Sequence, residues 1–283
     1  MAKSSGDKDS KKPSKQGKKA KTSAQKADPH ALYEVSVQCV EAEIDFVDTT
    51  FERLRGRKAI VLREDFCGTA STSCEWVMRR KGNCAIGFDI DAEVLAWGSK
   101  NNIAKLGDSA HRITLYEQDV LNARHTPVDA VLAMNFSYWL FKERATLLQY
   151  FRRVHDSLVA DGVFFLDCYG GYDASREMRE RTQHERFTYV WDQASFNPTN
   201  SHMCCHIHFH FEDGSKLNKA FTYDWRLWTL PEIKEVLEEA GFSSASAWWQ
   251  GWDAKEEEGD GEYEPVENAD ADAAWVCYVV AQK

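Results

Sequence analysis

No apolar run in the 283-residue sequence approaches the roughly 20 residues that a membrane-spanning helix needs. The opening stretch, MAKSSGDKDSKKPSKQGKKAKTSAQKADPH, lacks the apolar core of a secretory leader, so a cytoplasmic location is expected, with no membrane partner. Eight cysteines are scattered with no C-x-x-C pair, which fits reduced thiols rather than a disulfide framework. No internal repeat is visible. Missing too are the extra glycines of a dinucleotide loop. The stretch LREDFCGTAST, residues 62–72, has one glycine and two adjacent acids, Glu64 and Asp65, where a pyrophosphate would want free N–H groups and no negative charge.

What is present is acidity, unevenly placed. The net charge is -10. Residues 1–28 hold nine Lys against three Asp, and residues 253–272 hold ten acids against one Lys. The first segment reads as a disordered basic tail and the second as an acidic loop. An acidic core does not attract phosphates, which argues against a nucleic-acid partner.

Between these segments, strand and helix patterns alternate. Leu32, Val35, Val40, Ile44, Val47, Phe51 and Leu54 recur at helical spacing over 31–55. KAIVL, NCAIGFDI, ITLYEQ, VDAVLAMN and GVFFLDCYG are short, nearly continuous apolar runs, as in parallel strands covered on both faces. Helical patterns separate most of them, and Asp91 is placed to cap one. The pattern predicts a doubly wound α/β sheet. Regularity breaks near residue 172. FTYVWDQ, HMCCHIHFHF and LNKAFTYDW then read as three antiparallel strands inside an insertion, 173–228. Thr229, Pro231, Glu232 and Gly241 bound a capped helix, and two strands follow.

In an open parallel sheet the ligand lies beyond the carboxyl ends of the strands. Acids and amides stand at those ends: Glu64 and Asp65, then Asp89, Asp119, Asn135 and Asp167. Asp89 lies 21 residues beyond Gly68, a spacing that suits a carboxylate on ribose hydroxyls. The loop fits a ligand with a ribose and a cationic centre but no phosphate. Each acid taken singly could equally be a turn or helix cap.

The order LREDFCGTA, GFDID, YEQDV, VDAVLAMNFSYW, DGVFFLDCYGG and a terminal strand pair resembles class I S-adenosylmethionine-dependent methyltransferases of the small-molecule type, over residues 31–283. The resemblance implies a Rossmann-like, mostly parallel seven-stranded sheet with an antiparallel last strand, within a domain spanning 29–283. It implies S-adenosyl-L-methionine as cofactor and a small-molecule acceptor. Cys67 and Gly68 fall on the first motif, and either Glu64 or Asp65 would hold the methionine ammonium. Ala70 stands where the family has its last glycine. Asp89 would bind the ribose, Ile90 would pack on adenine, Asp119 would accept from the adenine amino group, and Val120 would lie beside the ring. A nicotinamide oxidoreductase or a non-catalytic adenosyl-binding module are the alternatives; a terminal strand running antiparallel separates the first of these.

Asn135-Phe136-Ser137-Tyr138 lacks the two prolines found in methyltransferases of nucleic-acid bases. Asn135 and Tyr138 could orient an amine or hydroxyl. FTYDWRLWT resembles the acceptor-side stretch of small-molecule methyltransferases. Arg226 could hold a carboxylate there and Trp225 or Trp228 a cation, with Tyr169 at the mouth of its strand. The insertion is expected to form a lid over the strand ends. In HMCCHIHFH the histidines share one strand face, which reads as a polar outer face rather than a metal site.

Overall fold

The computed structural model describes residues 20–253, 255 and 258–283. In chain order the elements are α1 (Ser23–Lys26), α2 (Pro29–Val37), α3 (Val40–Arg55), β1 (Val61–Asp65), α4 (Ser71–Arg79), β2 (Cys84–Asp89), α5 (Ala92–Asn101), β3 (Ile113–Glu117) and β4 (Val128–Ala133). Then come α6 (Arg144–Ser157), β5 (Leu158–Gly170), β6 (Met178–Gln183), β7 (Phe187–Asn197), β8 (His202–Phe211) and β9 (Lys216–Arg226). Last are α7 (Leu230–Ala240), β10 (Ser244–Asp253), β11 (Glu258–Val266) and β12 (Trp275–Gln282).

The main sheet runs β11-β10-β12-β5-β4-β1-β2-β3. β1 to β5 are parallel, and β12 lies antiparallel between β5 and β10. The parallel strands are apolar throughout because helices cover both faces. Phe164 and Phe165 are both fully buried, yet they point to opposite sides and belong to separate cores. One core joins Tyr150, Phe151 and Phe164 to Ile233 of α7. The other joins Ile44 and Phe51 of α3 to Trp76 and Phe165. Asp91 caps α5 and the Thr229–Glu232 box caps α7, as their sequences predict.

Several expectations need correction. The sheet has eight strands, because part of the acidic 253–272 segment forms β11 against β10. Tyr263 carries that strand, packing on Phe46 and Tyr278. The insertion is a four-stranded sheet, β6-β7-β8-β9, rather than three strands. Its extra member, MRERTQ, is polar and mostly exposed; an edge strand takes its bonds from one neighbour and needs no apolar face. The helix read over 31–55 is two helices, broken at Gln38 and Cys39. Of the expected tail, residues 1–19 lie outside the described residues. Residues 20–28 include α1, whose backbone bonds to Asp213 and Ser215 of the insertion, and Asp28, which caps α2 and accepts from Trp97.

The histidine face is also drier than a plain outer face. His206 and His208 are buried, bonded to Thr222 and to Asp192 respectively. Among the described residues no cluster of three metal-ligating side chains occurs, and no helix is long and apolar enough to cross a membrane.

Candidate functional site

The loop after β1 is folded against its own side-chain preferences. Phe66 and Ala70 adopt left-handed φ values of 57° and 56°, with Gly68 between them at 49°. Such φ values cost an ordinary residue about 1 kcal/mol or more and persist only where surroundings impose them. Ala70 therefore does what a glycine would do at that position. Two contacts impose the shape. Gly68 donates its N–H to Asp89 Oδ2 at 2.8 Å. Gly98 of α5 lies so close to the loop that a Cβ there would stand 2.4 Å from the Thr69 carbonyl oxygen. Asp89 also accepts from the Asp91 N–H at 2.9 Å, so its carboxylate is held at the end of β2 by two backbone donors.

The two adjacent acids have different fates. Strand alternation sends Arg63 and Asp65 to one face and Glu64 to the other. Asp65 takes a bidentate pair from buried Arg63, at 2.7 and 3.0 Å, and the Tyr150 hydroxyl at 2.8 Å. Its charge is already neutralised. Glu64 is buried with no cation as partner; it accepts from Ser73, through that residue's N–H at 2.9 Å and its hydroxyl, and from the Thr72 side chain. Burial pushes Glu64 up to about 7, partly offset by Ser73. A buried carboxylate without a cation is the less stable arrangement, and a cationic ligand would relieve it.

After β4, Asn135 and Phe136 both sit at left-handed φ, 58° and 55°. The Asp167 carboxylate at the end of β5 accepts both of their N–H groups, at 2.7 and 2.9 Å. Burial raises Asp167 to about 7 against those bonds. This turn presents Asn135 to the cleft.

The cleft is a cavity of about 430 Å³ over the carboxyl ends of β1, β2 and β4, within the usual range for small-ligand sites. Glu64, Asp65, Cys67, Gly68, Asp89, Ile90, Asn135 and Trp225 all line it. Ile90 is 74% exposed, an apolar surface facing an open cavity. Five carboxylates line the cavity and no Lys or Arg does. Asp65 and Asp224 already have cations, Arg63 and Lys142, which leaves Glu64, Asp89 and Asp91 without one.

Other expected residues lie elsewhere. Tyr138 is fully buried and donates to the Asp167 carbonyl oxygen at 2.6 Å; it supports the turn and cannot orient an acceptor. Arg226 bonds the Lys142 carbonyl and Glu232 and stacks 3.6 Å over the Trp228 ring, so it locks β9 to α7 outside the cavity. Tyr169 donates to Gln193 and does not line the cavity. Asp119 accepts from the Leu121 N–H in a turn, and Val120 is in the core.

One lining element was not foreseen: α2, which contributes His30 and Tyr33. The insertion reaches the cleft as expected of a lid, through β9, which contributes Phe221 and Tyr223 beside Trp225. The every-other-residue aromatics of β9 were a legible signal. The role of α2 was not, because Tyr33 fits any amphipathic helix. α2 is tied down by Glu34, which accepts from Thr69 and Asn102, each at 2.6 Å.

No family model matches the chain, and no curated protein matches it in sequence. Solved structures do match in shape. An S-adenosylmethionine-dependent methyltransferase from Clostridium acetobutylicum aligns with a TM-score of 0.67 at 15% identity, covering 89% of this chain and 96% of that one. An amino pentose methyltransferase from Micromonospora echinaspora, solved with S-adenosylmethionine bound, aligns at 0.63 and 14% identity, covering 89% and 95%. A sugar N-methyltransferase from a Streptoalloteichus species aligns at 0.63 and 15%, covering 98% and 99%. The chain has the class I methyltransferase fold.

Proposed function

We propose that the protein is an S-adenosyl-L-methionine-dependent methyltransferase acting on a small molecule. One observation carries the reading. The cavity brings together a buried, cation-free carboxylate (Glu64), a backbone-anchored carboxylate (Asp89) and an exposed apolar side chain (Ile90), on a sheet of this fold. These match the ammonium, ribose and adenine of one ligand. Glu64 rather than Asp65 takes the ammonium, since Asp65 is spent on Arg63 and Tyr150. Asp89 takes the ribose hydroxyls and Ile90 packs on the base. Asp119 and Val120 have no part in this assignment.

The cofactor supplies an electrophilic methyl group on a sulfonium. The protein's own contribution is placement and exclusion of water. α2 and β9 close over the strand ends, and Asn135 is held toward the cleft by Asp167. An acceptor that arrives with a free lone pair needs no base, and no role is assigned to one. The acid-lined cavity disfavours phosphate groups, and with them nucleic acids. A nicotinamide oxidoreductase is disfavoured by the same acids and by the antiparallel β12.

Isothermal calorimetry with S-adenosylhomocysteine tests the cofactor. Incubation with methyl-labelled S-adenosylmethionine and a metabolite extract, followed by identification of labelled products, tests transfer. No heat and no thermal shift with either adenosyl ligand would end the proposal.

A further inference from the structure

Beside the main cavity lies a smaller one of about 120 Å³, between the insertion and the turn after β4. Six aromatic side chains line it: Tyr33 of α2, Phe136, Tyr189 and Trp191 of β7, and Tyr223 and Trp225 of β9. Asn135 is there too, and the remaining two residues are aliphatic. Tyr33, Asn135, Tyr223 and Trp225 line both cavities, so the two adjoin at the turn that Asp167 holds. The rings of Trp191, Tyr223 and Trp225 have centroids within 6.2 Å of one another.

We infer that this cage is the acceptor subsite and that it takes an alkylammonium group, either a quaternary ammonium the acceptor already carries or the charged product of amine methylation; an amine that attacks the methyl group enters as the free base, its proton left to solvent. As an acceptor site it rests on the methyltransferase reading; as a cation site it does not. Three features favour a cation over a neutral apolar group. Aromatic rings outnumber aliphatic side chains, and ring quadrupoles attract cations within about 6 Å. No Lys or Arg lines either cavity, so no fixed positive charge opposes one. Asp167 stands directly behind Asn135 and Phe136, and Glu64 and Asp224 line the adjoining cavity. The phenols do not compete by ionising: burial pushes Tyr33 up to about 12, offset in part by a hydrogen bond with Tyr223. A carboxylate or phosphate acceptor finds no cationic partner here. That differs from the role the sequence suggests for Arg226, which lies outside both cavities.

The test uses two probes of one shape, choline and its neutral isostere 3,3-dimethylbutan-1-ol, titrated into the full chain with and without saturating S-adenosylhomocysteine. Choline should bind about five-fold or more tighter, the range that ring–cation attraction supplies. Trp191 lines only the smaller cavity. Trp191→Leu should remove most of the difference, Trp191→Phe should keep it, and S-adenosylhomocysteine affinity should not change in either. Equal binding of the probes, no binding of either, or a preference untouched by Trp191→Leu would overturn the cation site. If Trp191→Leu does not fold, as judged by its thermal melt, Tyr189→Leu takes its place with the same expectation. Failure of S-adenosylhomocysteine to bind while the choline preference stands would sink the cofactor reading and the acceptor role, and leave a cation-binding cage.

Discussion

The rim of the parallel sheet and the floor of the inserted sheet meet across one cleft and are built on different principles. The rim is made of backbone and charge. Four residues there, Phe66, Ala70, Asn135 and Phe136, hold left-handed φ, and three acids, Glu64, Asp89 and Asp167, accept backbone N–H groups. The inserted sheet is made of rings. Tyr189, Trp191, Tyr223 and Trp225 come from strands far apart in sequence and meet through antiparallel register. The rim can specify one ligand closely, because its donors and acceptors are held by the main chain. Under the proposed function the ring floor would set the size and charge type of the acceptor, and a change of side chain there should alter the acceptor without disturbing the rim.

The largest effect should come from the rim's buried ion pair. Arg63→Ala leaves Asp65 buried with only Tyr150 and should cost about 3–5 kcal/mol of stability in urea denaturation. Glu64→Gln should do the opposite. Glu64 is raised by burial, so its ionisation penalises the folded state; the penalty is absent at low pH and grows as pH rises toward about 7. The variant should be at least as stable as the parent at pH 8, yet bind S-adenosylhomocysteine far more weakly. If Arg63→Ala and Glu64→Gln destabilised alike, the division of labour between the two acids would be wrong.

Next in size is Asp89→Ala. Losing charged hydrogen bonds to the ribose should weaken S-adenosylhomocysteine by about 2–3 kcal/mol, roughly 30- to 150-fold by calorimetry. A pH series gives a smaller effect with a defined sign. Below about 7 the free cavity holds a proton on Glu64, and the ammonium favours the ionised form. Affinity should therefore rise with pH to about 7 and level off, with proton release near pH 6 visible as a buffer-dependent heat. Glu43 and Asp167 are also raised to about 7 by burial, so the control is Glu64→Gln, in which the release should vanish.

The smallest effect belongs to Arg226→Ala. Its bond to Glu232 holds β9 to α7, its bond to the Lys142 carbonyl ties β9 to the segment before α6, and it stacks on Trp228, so stability should fall by about 1–2 kcal/mol in the same denaturation assay. S-adenosylhomocysteine affinity should stay within about two-fold, since a loss at the β9–α7 seam does not reach the rim.

What was legible from residues alone follows rules that act over a few positions. Continuous apolar runs marked the parallel strands, Thr229 and Glu232 marked a helix start, and acids at strand ends marked the side on which the cleft lies. Glu64, Gly68 and Asp89 were marked that way, the family resemblance added Cys67 and Ile90, and all five line the cavity. Other questions turned on residues brought together from afar. Glu64 and Asp65 are equivalent as text; the pleat and Arg63 separate them. Tyr138 looked available because its hydroxyl is polar, and packing turned it inward to Asp167. β6 and β11 gave no pattern, because edge strands are stabilised by a partner's backbone rather than by their own apolar face. α2 became a cavity wall through Glu34, Thr69 and Asn102, contacts spanning 35 and 68 residues. Periodicity and capping are local energies that a linear reading can evaluate. Register, pairing and burial are collective, and they exist only once the chain has closed on itself.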